Sequence, residues 1–405
     1  MPSSIEASPS DTASAATTSR WLSGITSSLR ENSLLLLIVA SILTAANSLS
    51  AFLGRPHRAL DQAAASYTGY IATCFACFCF AFVVWILHVT LVRKVSIQTK
   101  DFWLLVFTEF LSRERLLLAL PILAVWPVMI LSFSLIKALI PAVVPYYLDP
   151  FLHAADRAIH FGQDPWALLH PVLGHPVVTY LIDRIYALWL FVMYFALLLQ
   201  ITSTSDRRRR MHFLLSSMLA WIVLGCVAAT LLSSVGPCYF GKVVGAPDTY
   251  APLMAYLRET VQQTPLLDLG APPELIAVRV QDLLWDYYQQ NDIGLGRGIS
   301  AAPSLHVAST WLMARMFQTY GRRAAIAGWS FFALILVGSV HLGWHYALDG
   351  YISIVGAWAL WRLVGWLLDR PRLQAILWPK GPAAKAAAEP QLAIDPGDSK
   401  RLAES

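Results

Sequence analysis

Two short stretches hold the residues best suited to chemistry. The first reads Arg297-Gly298-Ile299-Ser300-Ala301-Ala302-Pro303-Ser304-Leu305-His306, and the second Gly338-Ser339-Val340-His341-Leu342-Gly343-Trp344-His345-Tyr346-Ala347-Leu348-Asp349. Pro303 suits the start of a helix and Ser304 its N-cap, so His306 opens a helix. Unpaired N–H groups and a partial positive charge at such an N-terminus favour a phosphate. His345 and Asp349 stand four apart and share one helix face. A carboxylate bonded to one imidazole nitrogen fixes the tautomer and leaves the other nitrogen free to attack. A second imidazole can protonate the leaving oxygen. This set fits phosphoryl transfer and calls for neither metal nor cofactor, because helix N–H groups and cations can stabilise the equatorial oxygens. A single histidine at a helix end is usually inert. Three ionisable groups at one depth beside Gly and Ser turns fit that reading poorly.

The elements that would position these residues are membrane spans. The 405 residues are 57% hydrophobic and only 14% charged, against about a quarter charged in soluble domains. That balance excludes an ordinary cytosolic enzyme, a disordered protein and a nucleic-acid binder. A spanning helix takes about 20 apolar residues. By that measure the chain is an all-α polytopic bundle of about eight spans, near 33–53, 69–92, 116–140, 178–201, 211–233, 305–319, 324–342 and 347–368. The antiparallel pair 305–319 and 324–342 returns the chain to the level of His306, so His306, His345 and Asp349 can meet. Arg93, Lys94, Lys100, Arg113, Arg115, Arg207–Arg210, Arg322, Arg323, Arg370 and Arg372 all fall on one face. The positive-inside rule makes that face cytoplasmic, with both termini, and puts the chemistry on the other side. Compact loops suggest a bacterial inner membrane and a periplasmic site.

The spans divide the chain. Residues 1–30 read as a disordered cytoplasmic tail, 31–101 as two N-terminal spans, 102–370 as a six-helix catalytic core, and 371–405 as a second disordered tail. Phe102–Leu111 is too short to cross and is expected at the interface or against the bundle. The outer segment 234–304 has amphipathic stretches at Ala255–Gln263 and Glu274–Gln289, expected to lie on the membrane surface and cap the bundle. Cys74, Cys77 and Cys79 sit in one apolar run and read as small filler rather than a metal site.

Pro303-Ser304-Leu305-His306 resembles the second motif of the type 2 phosphatidic acid phosphatase superfamily, and Gly338–Asp349 resembles its third. Ser300 to His306 and Gly343-Trp344-His345-Tyr346 to Asp349 are more similar to one branch, the inositol phosphorylceramide synthase-like inositolphosphotransferases and their bacterial relatives. The resemblance covers about 116–368. It implies His345 as the nucleophile of a phosphohistidine intermediate, Asp349 as its orienting group and His306 as acid and base. Ser304, Gly343 and adjacent amides would cradle phosphate. The superfamily's Lys…Arg-Pro first motif is absent; Ser234-Val235-Gly236-Pro237-Cys238-Tyr239-Phe240 stands there and looks like that branch's own first motif. Ser339 replaces the arginine of the third motif. Arg297 and Lys242 are the nearest cations to replace the missing ones, although Lys242 can equally be solvated or snorkelling. His341, one turn before His345, can touch substrate or be a satisfied interfacial histidine. Asp183 can bind a polyol hydroxyl or serve a local ion pair with Arg184.

The resemblance implies an integral membrane lipid phosphotransferase moving an inositol phosphate-like headgroup from a phospholipid donor to a lipid-alcohol acceptor. The alternative is a lipid phosphate phosphatase with water as acceptor. A transporter using the same groups as a proton relay would carry midplane charges and repeated halves, and no repeat is visible.

Overall fold

A computed structural model describes residues 22–55, 59–245, 247–259, 274–293 and 296–378. No strand occurs among them. Helices α1 (Ser33–Phe52) and α2 (Ala59–Leu87) come first, with α2 running into a π-turn at His88–Val92. Next are α3 (Lys100–Leu105), α4 (Arg113–Val143), α5 (Asp149–Ile159), α6 (Pro165–Leu173), α7 (Pro176–Ala187), α8 (Trp189–Ile201) and α9 (Arg207–Leu219). The last set is α10 (Ala251–Glu259), α11 (Ile276–Gln289), α12 (Leu305–Phe317), α13 (Arg322–His341), α14 (Ala347–Leu368) and α15 (Pro371–Leu377).

Local chemistry sets the helix starts. Thr99, Ser112, Asp206 and Ser304 each accept a hydrogen bond from the amide three residues on, at α3, α4, α9 and α12. Pro150, Pro165, Pro176 and Pro371 occupy first-turn positions, where the missing N–H costs nothing.

Seven helices are long and apolar enough to cross a membrane. The eighth expected span, 305–319, is the exception: α12 has 13 residues and reaches about 20 Å, short of a hydrocarbon core of about 30 Å. It packs on α8, α9, α13 and α14. Residues Val307 to Ala314 of α12 are buried, so it meets protein rather than lipid. The expected span 178–201 is among the seven, as Pro176–Ile201, with a local turn at Leu188 between α7 and α8.

Both expected tails contain helix. Residues 22–31 are helical because Ser28 and Asn32 donate to the Leu117 and Leu118 carbonyls of α4. α15 forms because Leu377 is buried and Gln374 donates to the Leu368 carbonyl. Residues 1–21 and 379–405 lie outside the described residues. The Phe102–Leu111 stretch packs on the end of α2 through Phe82, Trp85 and Val89. The first amphipathic stretch is helical as α10; its residues 260–263 lie outside the described ones.

The main core gathers Trp126, Met129, Met211, Leu214, Met218, Leu312 and Met316 between α4, α9 and α12. Near its basic pole Arg210 is fully buried, and its guanidinium donates to Asn32 at 2.7 Å with Glu31 at 3.6 Å. Removing either partner would leave the other as a costly unpaired buried charge. At the opposite pole, α10 and α11 close over a second core of Tyr250, Leu253, Leu257, Leu342 and Tyr346.

Candidate active site

His306 lies in the first turn of α12, and its ring packs against Trp189 at 4.3 Å and Tyr186 at 5.2 Å. His345 lies in the turn between α13 and α14. Its Nε2 is 3.5 Å from Nδ1 of His306. Its Nδ1 is 2.9 Å from the Ala301 carbonyl and 3.5 Å from Asp349 Oδ2. A carbonyl oxygen only accepts, so Nδ1 carries the proton and Nε2 presents its lone pair to His306. The orienting task expected of Asp349 alone is thus shared with a main-chain carbonyl. Asp349 is fully buried, and Oδ2 also accepts the Tyr346 N–H at 3.1 Å.

The two imidazoles face a cavity of about 490 Å³. Its lining is mostly apolar, including Ile130, Phe133, Met193, Trp221, Val280 and Leu284, with Ser300, Ala301 and Pro303 beside the histidines. On the α9 side Trp221 and Gly225 lie in a π-helical stretch, Ala220–Ala228, a form frequent at functional sites.

Three loops are stapled around the histidines. Ser234 takes the Ala301 N–H on its carbonyl and the Ala302 N–H on its hydroxyl, both at 3.0 Å. Cys238 N–H donates to the Gly343 carbonyl at 3.0 Å. Gly236 has φ +89°, and a Cβ there would sit 2.8 Å from the Trp344 carbonyl, so the approach requires glycine. Two carboxylates of α5 hold this assembly. Asp149 accepts from the Val235 and Gly236 amides and from the Tyr346 hydroxyl at 2.9 Å. Asp156 accepts from the Ala347 and Leu348 amides at 2.7 and 2.8 Å, capping the helix that starts just after His345. Burial raises both carboxyls above the ordinary carboxylate range, and the donated N–H groups pull part of the way back.

Other expected site residues fall elsewhere. Arg297 lines the cavity, ion-paired to Asp292 and lying over the Tyr287 ring at 4.2 Å. Ser304 is fully buried and off the cavity lining, and its hydroxyl oxygen caps α12 by accepting the Val307 N–H. Gly343, at φ +72°, is a turn packed under Met254 and Leu253 of α10. Nε2 of His341 bonds the Thr179 hydroxyl at 2.9 Å, away from the cavity lining. Lys242 stacks over Trp285 at 4.7 Å, also off the lining. Asp183 does not line the cavity: its two oxygens take the Ile276 and Ala277 amides and cap α11. The polyol-binding role expected of it finds no support in that position, because the cavity that holds the histidines does not include it.

Several residues were not read from the sequence. Asp149 and Asp156 form the clamp, and Lys137 of α4 lines the cavity. Lys137 is the sole charged residue in the expected span 116–140, and an intramembrane charge signals function by default.

A scan of known families matches residues 150–367 to the PAP2 superfamily. No curated protein and no solved structure matches the chain. The match spans more than half of the chain and takes in both histidines, the three stapled loops and Asp156 of the α5 clamp, and with it the protein belongs to the PAP2 superfamily.

Proposed function

We propose that this protein is an integral membrane lipid phosphotransferase of the inositol phosphorylceramide synthase-like type. The observation that carries the reading is the pair of facing imidazole nitrogens, 3.5 Å apart, at a largely apolar cavity. In the first half-reaction Nε2 of His345 attacks phosphorus, and the P–N bond forms as the P–O bond to the donor's glycerolipid breaks. His306, protonated beforehand, gives its proton to the leaving alkoxide. In the second, neutral His306 takes the proton of an acceptor lipid hydroxyl as that oxygen attacks phosphorus and frees His345. Asp349 and the Ala301 carbonyl hold the nucleophile's tautomer throughout. The wall of Ile130, Phe133, Met193 and Leu284 suits acyl chains and favours a lipid acceptor over water. The active site faces the periplasm and both termini the cytoplasm in this reading, because the basic clusters crowd the opposite pole.

A lipid phosphate phosphatase would use the same covalent step, and superfamily membership accommodates it as well. Purified protein given labelled phosphatidylinositol, with and without ceramide or diacylglycerol, separates the two. Label in a new lipid only when the acceptor is present supports transfer. Release of free headgroup phosphate at an acceptor-independent rate would replace it with hydrolysis. His345→Ala, His306→Ala and Asp349→Asn each abolish turnover while the protein still inserts; an active His345→Ala enzyme would refute the phosphohistidine route.

A further inference from the structure

A charged amine within a span is costly unless something uses it. Along α4 the cavity is lined by Ile130, Phe133, Ser134 and Lys137. These positions are i, i+3, i+4 and i+7, a single helix face, so Lys137 points with its neighbours into the cavity and away from lipid. It stands six residues, roughly 9 Å, below the Val143 end of α4. Among the described residues no carboxylate or hydrogen-bond acceptor pairs with its ammonium. The other cations near the site are engaged: Arg297 with Asp292, Arg184 with Asp183, and Lys242 over Trp285. Lys137 is therefore the uncompensated positive charge of the cavity, which His306 also lines.

A second observation places Arg297 beside it. The Gly296 N–H donates to Ser134 Oγ at 3.2 Å. Gly298, at φ +94°, lies so close to α4 that a Cβ would stand 2.7 Å from the Ala138 nitrogen and 2.9 Å from the Lys137 carbonyl carbon. The loop carrying Arg297 is thus seated on the turn of α4 that carries Lys137, and both residues line the cavity together with His345.

We propose that Lys137 is a substrate-binding residue whose ammonium takes a non-bridging phosphoryl oxygen of the lipid. This rests on the phosphoryl-transfer reading and narrows it. The donor's phosphoryl group is anionic with no cation close to phosphorus, because a choline or ethanolamine headgroup would bring a second ammonium against Lys137. A phosphodiester to a polyol meets both conditions.

The test uses full-length protein in detergent: wild type, Lys137→Met and Lys137→Arg. Orthovanadate binding is followed by calorimetry, which needs no turnover, and KM and kcat are measured with phosphatidylinositol. The Met variant binds vanadate about tenfold more weakly or worse and raises KM, and the Arg variant restores both to within about threefold. If the Met variant does not fold, Lys137→Gln carries the same comparison. Wild-type vanadate affinity and KM in a folded, uncharged variant overturn the proposal. A wild-type protein that turns over no lipid yet binds vanadate in a Lys137-dependent way keeps the anion site and removes the functional reading alone.

Discussion

Asp156→Asn removes one atom's chemistry from a helix start and reads out in turnover. In the native protein each carboxylate oxygen accepts one amide, from Ala347 and from Leu348, at 2.7 and 2.8 Å. The amide side chain keeps one of these bonds through its oxygen and opposes the other N–H with an NH2 group. The loss comprises one charge-assisted hydrogen bond, about 1.5–3 kcal/mol, and the favourable charge at a helix N-terminus, about 0.3–1 kcal/mol. Together they come to roughly 2–4 kcal/mol. The first turn of α14 then loosens where His345 and Asp349 depend on it. A displacement of about 1 Å in a reacting group costs on the order of a hundredfold in rate. We expect kcat to fall about tenfold to a hundredfold with little change in KM, and the melting temperature in detergent to drop by about 5 °C. Steady-state kinetics and a thermal-shift series measure both. Wild-type kcat together with a wild-type melting curve would refute the idea that α5 braces the nucleophile.

Gly298→Ala should lift the Arg297 loop off α4, since its backbone is left-handed and its Cβ would collide with Ala138; a raised KM for donor lipid at near-normal kcat is the expected signature in steady-state assays. Asp183→Ala leaves the Ile276 and Ala277 amides unpaired, so hydrogen exchange in α11 should speed up before any change in headgroup selectivity appears. Arg258 donates to Asp282 at 2.6 and 2.8 Å, and this bond holds the Asp282 carboxyl below its ordinary value. A depressed carboxylate contributes stability that is complete above its unfolded pKa, near 3.9, and is lost as pH falls through the lower folded value. Protection of α10 amides, corrected for intrinsic exchange, should therefore hold from neutrality to about pH 4 and decline below it, and should be weaker and flat in Asp282→Asn.

Hydropathy alone locates seven of the spans, because each is a continuous apolar run long enough to be read without partners. The meeting of His306 and His345 is also legible, since an antiparallel helix pair must return the chain to the depth it left. Ser304 is legible as an N-cap. Less could be read where a residue's partner lies far along the chain. Asp183 and Ile276 are 93 positions apart, and nothing local distinguishes a carboxylate that caps a distant helix from one that awaits a ligand. The shortness of α12 shows in the sequence, but not that protein encloses it, which is why it need not match the thickness of the hydrocarbon. The helices of 149–159 and 165–173 did carry a signal, an aspartate followed by proline at each start, although the segment is too polar to draw attention by hydropathy. Lys137 is legible by the rule that intramembrane charges are functional, although it lies mid-helix, away from the loops and helix ends that carry the histidines.

The Ala301 carbonyl that receives the His345 ring proton belongs to the main chain, and no side-chain replacement can delete it. Point substitutions can only shift it, by moving the strip of backbone on which it rides. The reactivity of the imidazole is thereby tied to the seating of that strip against Ser234: a small excursion would let the ring rotate and turn its lone pair from the cavity. Such an enzyme would idle without unfolding, and the quickest sign of it would be a change in ring-proton resonance rather than in melting.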